Sequence, residues 1–216
     1  MANVKIQGNA SGSGVLTITA PNTDSTRTIT LPDSTGTLLV ATERGRVFLS
    51  NTVISNDATV SITANIDSTY DVYEIELVNI VNATDAQTLQ FLLSTDGGSS
   101  YLSSYQFSAR GAIAGATSDT HGGATGGSVN TLTPITVGTA TGEGLCGSMK
   151  LYAPASTGIN TYYKWEVSYE QSGGVITSAT GAGDSNVTTA INAIQWKTSS
   201  GNITSGNIYL YGIRKS

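Results

Sequence analysis

The chain has 216 residues, a formal net charge of −5 and an isoelectric point of about 4.7. Charged residues make up 12% of it, about half the share found in an average soluble domain, and 26 serines and 32 threonines replace them. The lysines and arginines are scattered singly, and no apolar run reaches the roughly 20 residues that cross a bilayer. We therefore expect neither a nucleic-acid partner, which needs a concentrated cationic face, nor a membrane partner.

Short runs rich in β-branched residues, bounded by Gly, Asn, Asp and Ser, predict many strands and almost no helix. In chain order they are Val15–Ala20, Arg27–Leu31, Thr37–Val40, Thr59–Thr63, Val72–Val78, Thr88–Ser94, Leu145–Tyr152, Tyr162–Glu170, Ala190–Lys197 and Asn207–Ile213. In Tyr162–Glu170 and Thr88–Ser94 every second residue is large and apolar, as in a strand with one buried face. The sequence predicts an all-β fold, an antiparallel jelly-roll-like β-sandwich.

Two regions differ from this pattern. Residues 1–46 are rich in Thr, Asn and Ser and hold almost no aromatic residue, so they cannot close a core alone. We interpret them as a β-rich N-terminal attachment arm, followed by a sandwich domain over 47–216. Residues 108–130 hold mostly Gly, Ala, Ser and Thr. This composition and length predict a long exposed loop, which either reaches another subunit or is mobile.

The single cysteine, Cys146, and the single histidine, His121, leave little catalytic or metal-binding chemistry. One cysteine excludes an intramolecular disulfide and a cysteine-cluster zinc site, and no cofactor is expected. A Cys146–His121 nucleophile–base pair is conceivable, but no third orienting group is evident and a structural cysteine is favoured. Gly183-Asp184-Ser185 resembles the start of an esterase signature, yet no histidine follows it near the C-terminus.

Several further groups have both a structural and a functional interpretation. The run Ser94–Tyr101 resembles the Asp-box turn of sialidase propellers, but it occurs once, so we expect Asp96 to cap a turn. Asp67, Asp71 and Asp85 lack the alternating oxygen ligands of a calcium loop and are expected at the surface. Core packing is the favoured role of most aromatic residues, among them Tyr163, Trp165, Tyr169, Tyr209 and Tyr211, whereas Tyr101 or Tyr105 is the candidate for stacking on a sugar.

Several segments resemble proteins of one group. GVLTITAPNT at 14–23 and RTITLPDSTGTL at 27–38 look like the N-terminal segment of many tailed-phage fibre and exterior virion proteins. Residues 73–77, 92–101, 144–152 and the closing SGNITSGNIYLYGI at 200–213 resemble further phage patterns. The resemblance implies an exterior virion component, commonly trimeric, with a distal β-sandwich. It leaves open whether the protein sits on the head or on the tail.

The sequence and this resemblance lead to one expected function and one alternative. We expect a non-enzymatic virion protein, made in the host bacterial cytoplasm, that decorates the outside of the capsid as a homotrimer. Its arm would bind the major capsid protein or another virion protein, since hydroxyl-rich faces are buried at low desolvation cost. The alternative is a short tail fibre, fibre tip or baseplate component that contacts a host surface glycan. A glycan-cleaving spike would need two facing carboxylates, which subunits could build between them.

Overall fold

The computed structural model describes Asp24, Thr26 and residues 45–213. The chain divides into two compact units, Met1–Leu38 and Leu39–Ser216. The described part of the second unit contains twelve strands and no helix. They are β1 (Arg46–Asp57), β2 (Val60–Ile62), β3 (Val72–Asn82), β4 (Leu89–Ser94), β5 (Tyr105–Ile113), β6 (Thr120–Gly127), β7 (Asn130–Thr131), β8 (Leu145–Tyr152), β9 (Tyr162–Glu170), β10 (Ile176–Asp184), β11 (Ala193–Thr198) and β12 (Ile203–Ile213).

The strands form two antiparallel sheets that pack face to face. The larger sheet has eight strands in the order β1-β12-β3-β8-β9-β10-β5-β6, and the smaller has four in the order β2-β11-β4-β7. Phe91 of the smaller sheet meets Tyr163 and Trp165 of the larger one edge-on, with ring centroids 5.2 and 5.8 Å apart. These contacts lie in the core between the sheets. The predicted all-β, antiparallel sandwich is confirmed.

Alternation along each strand determines which side chains enter this core. In β9 the odd-numbered residues from 163 to 169 are at most 3% exposed, and the even-numbered residues from 162 to 168 face solvent. In β4 the residues at 89, 91 and 93 are buried in the same way. The faces predicted for these two strands are confirmed. The solvent-facing set of β9 forms part of the outer face of the larger sheet, on which the candidate site lies.

The predicted loop over residues 108–130 is wrong, because most of it is strand. β5 and β6 pair as an antiparallel hairpin, and Arg110 of β5 forms an ion pair with Asp119 just before β6. The glycines here have a packing reason: a Cβ on Gly111 would lie 2.9 Å from the Ile135 side chain, and one on Gly122 would lie 3.2 Å from Pro134. Because Pro134 and Ile135 leave no room for larger side chains at Gly111 and Gly122, the apolar alternation of β5 fades after Phe107, and β6 has none that the sequence could reveal.

The structure differs from the sequence-based expectation at one strand and at two tyrosines, and it leaves the N-terminal arm untested. The strand β1 was not predicted, although it pairs with β12 from Arg46 onward. Tyr209 and Tyr211 were expected in the core, but β12 buries Ile208 and Leu210 and turns both tyrosines to the outer face. Both residue sets of β12 are apolar, so alternation alone does not determine which one is buried. Apart from a few positions, the arm 1–46 and its three predicted strands lie outside the described residues and stay predictions.

Three buried tyrosines of the larger sheet hydrogen-bond to segments that cover the core. The Tyr163 hydroxyl lies within hydrogen-bond distance of the Asn130 side-chain oxygen and of the Asp184 carbonyl, and the Tyr169 hydroxyl donates to the Ile135 carbonyl at 2.9 Å. The Tyr105 hydroxyl accepts the Leu93 N–H at 2.8 Å. Burial raises the pKa of Tyr105 to about 12, and it raises the pKa of Tyr163 and of Tyr169 well above the ordinary value.

These raised pKa values predict cooperative alkaline unfolding. The folded state disfavours the tyrosinate form, so its stability is fully present below the unfolded-state pKa of about 10 and decreases as the pH rises through the folded-state values. Tyr105, Tyr163 and Tyr169 should ionise only together with the loss of β-sheet circular dichroism, near pH 12 or above. The test is tyrosinate absorbance recorded alongside circular dichroism. Ionisation of all ten tyrosines with the sheet signal intact would contradict the prediction.

Candidate functional site

The outer face of the larger sheet gathers cations that are far apart in the sequence. Of the five lysines and arginines within residues 45–213, Arg46, Arg110, Lys150 and Lys164 lie on this face, and Lys197 lies on β11 of the smaller sheet. In the sequence these residues are single scattered cations. Two of them, Lys150 and Lys164, belong to the predicted strands over 145–152 and 162–170. The sequence does not give the register that brings these strands together.

A groove of about 730 Å³ crosses this face over β3, β8, β9, β10 and β5. Its volume falls within the range of ordinary ligand sites. Ala182 of β10 lies opposite Lys164 and places only a methyl group there, which leaves the groove open between longer neighbours. Its polar lining consists of five charged and three hydroxyl side chains: Glu74, Arg110, Lys150, Lys164, Glu166, Ser108, Ser148 and Thr180.

The ion pairs of the groove leave one lysine without a partner. Glu74 is shared, because it lies 3.0 Å from Arg46 and 3.2 Å from the ammonium nitrogen of Lys150. Neither Lys164 nor Glu166 takes part in an ion pair within the part of the chain that the structure describes. Lys164 also lies directly opposite Lys150 in the β8–β9 register. Like charges placed opposite each other on neighbouring strands repel, so Lys164 is the groove cation whose charge is least compensated among the described residues.

An aromatic pair borders the two lysines. Tyr162 lies opposite Tyr152 in the same β8–β9 register, and each tyrosine is two residues from a lysine on the same face. Tyr162 is 53% exposed. Beyond the lysines, Ser148 lies opposite Glu166. The outer face of β8 and β9 therefore presents three successive cross-strand pairs, which are aromatic, cationic, and then hydroxyl with carboxylate.

The candidate catalytic residues are not brought together. Cys146 is on β8 and His121 is on β6, with β9, β10 and β5 between them in the sheet. Ser185 is buried, and its hydroxyl donates to the Val187 carbonyl at 2.9 Å and accepts the Thr161 N–H at 3.0 Å. The cysteine and histidine thus form no nucleophile–base pair, and the Ser185 hydroxyl is engaged in local hydrogen bonds.

The expected turn at Asp96 is confirmed. Its carboxylate accepts the Ser100 N–H at 2.9 Å and the hydroxyls of Ser100 and Ser94 at 2.6 and 2.8 Å. These hydrogen bonds, led by those from Ser100, lower the pKa of Asp96 to about 2. Gly97 and Gly98 have φ angles of 74° and 89°, which explains why glycines follow the aspartate.

The other candidates for ligand binding are buried or engaged in local hydrogen bonds. Asp67 accepts hydrogen bonds from the Thr69 N–H and the Tyr73 hydroxyl, and those from Thr69 are the main cause of its lowered pKa. No group of three His, Cys, Asp or Glu residues suited to a metal occurs among the described positions. Tyr105 is fully buried, so the idea that it stacks on a sugar is wrong. Tyr101 is half-buried and its hydroxyl lies 3.1 Å from that of Ser61.

Comparison with known proteins adds no relative. No family model matches the chain, and no match is found among curated proteins or solved structures. Within the described ranges, no helix is long and apolar enough to cross a membrane.

Proposed function

We propose that this chain is a non-enzymatic structural protein of a tailed-phage particle, bound as a homotrimer to the outside of the capsid. The phage-like segments at 14–38 and 200–213 support this origin. The observation that carries an assembly role is an exposed apolar surface at one edge of the larger sheet. We call this surface the edge patch, and it comprises Phe48, Val53, Val78, Tyr209 and Tyr211.

The edge patch has features of a surface that binds another chain. Within the described residues β1 is one of the two edge strands of the larger sheet, and its Phe48 and Val53 are 57% and 67% exposed. An edge strand offers unpaired backbone N–H and C=O groups, and monomeric proteins usually protect it with lysines, prolines or a short length. β1 has 12 residues without lysine or proline, and its only charges are at its two ends. A strand of this kind is suited to pairing with a second copy or with a virion partner.

The arm proposed for residues 1–46 is tested by truncation. Because Arg46 already pairs with Ile213, the deletion is best made over residues 1–44, which keeps β1 complete. Full-length protein should bind capsids at a copy number that follows the number of capsid subunits, and the truncated protein should remain free although its circular dichroism shows the same β-sheet. Normal occupancy by the truncated protein would contradict the role of the arm.

The groove supports a second candidate, a short tail fibre, fibre tip or baseplate component that contacts a host glycan. The exposed Tyr162 beside Lys164 is the specific observation in its favour. Electron microscopy of particles carrying a labelled copy of this protein discriminates between the two candidates. Label over the whole capsid supports the decoration protein, and label confined to the tail supports the fibre or baseplate component.

A further inference from the structure

We propose that the outer face of β8 and β9, together with the adjoining groove, binds a carboxylated sugar unit of an acidic polysaccharide. We call the three cross-strand pairs at its centre the β8–β9 ladder, which consists of Tyr152–Tyr162, Lys150–Lys164 and Ser148–Glu166. This inference holds for either location in the particle, because the ladder and the groove belong to the chain itself.

The spacing of the ladder places the lysine pair within reach of a sugar ring that stacks on Tyr162. Paired residues lie about 5 Å apart across the strands, and successive pairs lie about 7 Å apart along them, since every second residue shares a face. A ring placed on the exposed face of Tyr162 therefore has its substituents within reach of the lysine pair. Aromatic rings supply a large apolar surface with a polar tip, which suits the apolar face and hydroxyl rim of a sugar.

The charges of the ladder favour a carboxylate at its middle pair. Lys164 has no ion-pair partner among the described residues and faces Lys150, whose own partner Glu74 is shared with Arg46. A carboxylate between the two ammonium groups relieves their repulsion and gains charge-assisted hydrogen bonds. The empty space above Ala182 gives such a group access from the groove.

The remaining polar groups favour a hydroxylated ligand over a phosphate polymer. Glu166 lines the groove one step beyond the lysines, where its carboxylate can accept hydrogen bonds from sugar hydroxyls, which a bare phosphate group does not offer. Ser148, Ser108 and Thr180 add hydroxyls that both donate and accept. A sugar acid, which has one carboxylate and several hydroxyls, uses all these groups, whereas a nucleic acid uses only the lysines.

The position of the ladder also favours a glycan over a second copy of the chain. The edge patch, which holds the exposed apolar side chains Phe48 and Val53, lies on β1, β12 and β3. The ladder occupies the central strands β8 and β9 and is lined by charges and hydroxyls. Contacts between subunits through the edge patch would use a different part of the sheet from a glycan on the ladder.

The experiment uses the full-length protein in two steps. A glycan array carrying uronic-acid, sialic-acid and neutral polysaccharides identifies the class that is bound, and calorimetry compares trigalacturonate with its neutral methyl ester. We expect retention of carboxylated glycans, no heat with the methyl ester, and weaker binding at higher salt. Lys164→Gln and Tyr162→Ala should each weaken trigalacturonate binding about tenfold or more. Lys197→Gln, which removes a lysine from the smaller sheet, is the matched control and should bind as the original protein does.

Three outcomes would overturn the inference. They are an array that retains no carboxylated glycan, equal binding of the neutral ester, and equal losses in the Lys197→Gln control. If Lys164→Gln instead lowers the molecular mass in light scattering and leaves glycan binding unchanged, the ladder is a contact between subunits. None of these measurements involves capsids, so their failure is distinct from a failure of the truncated protein to bind particles.

Discussion

Replacement of Trp165 by alanine is expected to lower the free energy of unfolding by about 3–5 kcal/mol. The indole is 3% exposed and meets Phe91 of the opposite sheet edge-on. Its N–H also donates to the Leu132 carbonyl at 2.9 Å, so it holds the segment after β7 against the core. The substitution therefore removes packing between the sheets and leaves the Leu132 carbonyl without this donor. Urea denaturation at neutral pH measures the effect as a lower midpoint at a similar slope.

Gly181 lies against the Trp165 indole, so the two positions should be energetically coupled. It pairs with Trp165 across β9 and β10, and a Cβ at this position would overlap the indole ring. Gly181→Ala should therefore cost about 1–3 kcal/mol in the original protein. In the Trp165→Ala background the added methyl group fills vacated space, so the same substitution should be neutral or stabilising.

A double-mutant cycle measures this coupling directly. We expect an interaction energy of at least about 1 kcal/mol between positions 165 and 181. Gly212→Ala is the matched control, because its Cβ would meet the Tyr70 ring instead and should cost the same in both backgrounds. Additive losses at Gly181 and Trp165 would show that the indole does not set the requirement for glycine.

Much of the fold could be predicted because the central strands alternate strictly. The strand over 162–170 places Tyr163 and Trp165 in the core, and the structure has the same strand bounds and the same faces. The strands β6 and β10 could not be predicted in this way, and β5 alternates clearly only at its start. Their glycines, such as Gly111 and Gly181, are determined by the side chains of Ile135 and Trp165 that lie against them. Contacts of this kind join residues distant in sequence, so local pattern does not reveal them.

The candidate site shows the same limit more strongly. Lys164 could be placed on the polar side of its strand from sequence alone, but its position opposite Lys150 depends on the β8–β9 register. The sequence-based candidate for stacking on a sugar is Tyr101 or Tyr105, whereas the structure buries Tyr105 and exposes Tyr162. Exposure of an aromatic residue depends on which face of the sheet is covered, and this is a property of the whole sandwich.

The proposed trimer makes Val53 the residue whose replacement has the largest expected effect on assembly. Val53→Lys places an ammonium group at the middle of the exposed edge strand, which is how many monomeric proteins prevent pairing at a sheet edge. We expect the original protein to be a trimer in light scattering at micromolar concentration and the variant to be a monomer. Since Val53 is 67% exposed, the stability of the sandwich itself should change by no more than about 0.5 kcal/mol.

Ile159→Lys is the matched control for this prediction, because Ile159 is 52% exposed and lies outside the edge patch. It adds the same charge to a comparably exposed apolar position and should leave the trimer intact. A Val53→Lys protein that remains trimeric would move the subunit contact away from the β1 edge. An original protein that is monomeric at the same concentration would contradict the proposed trimer itself.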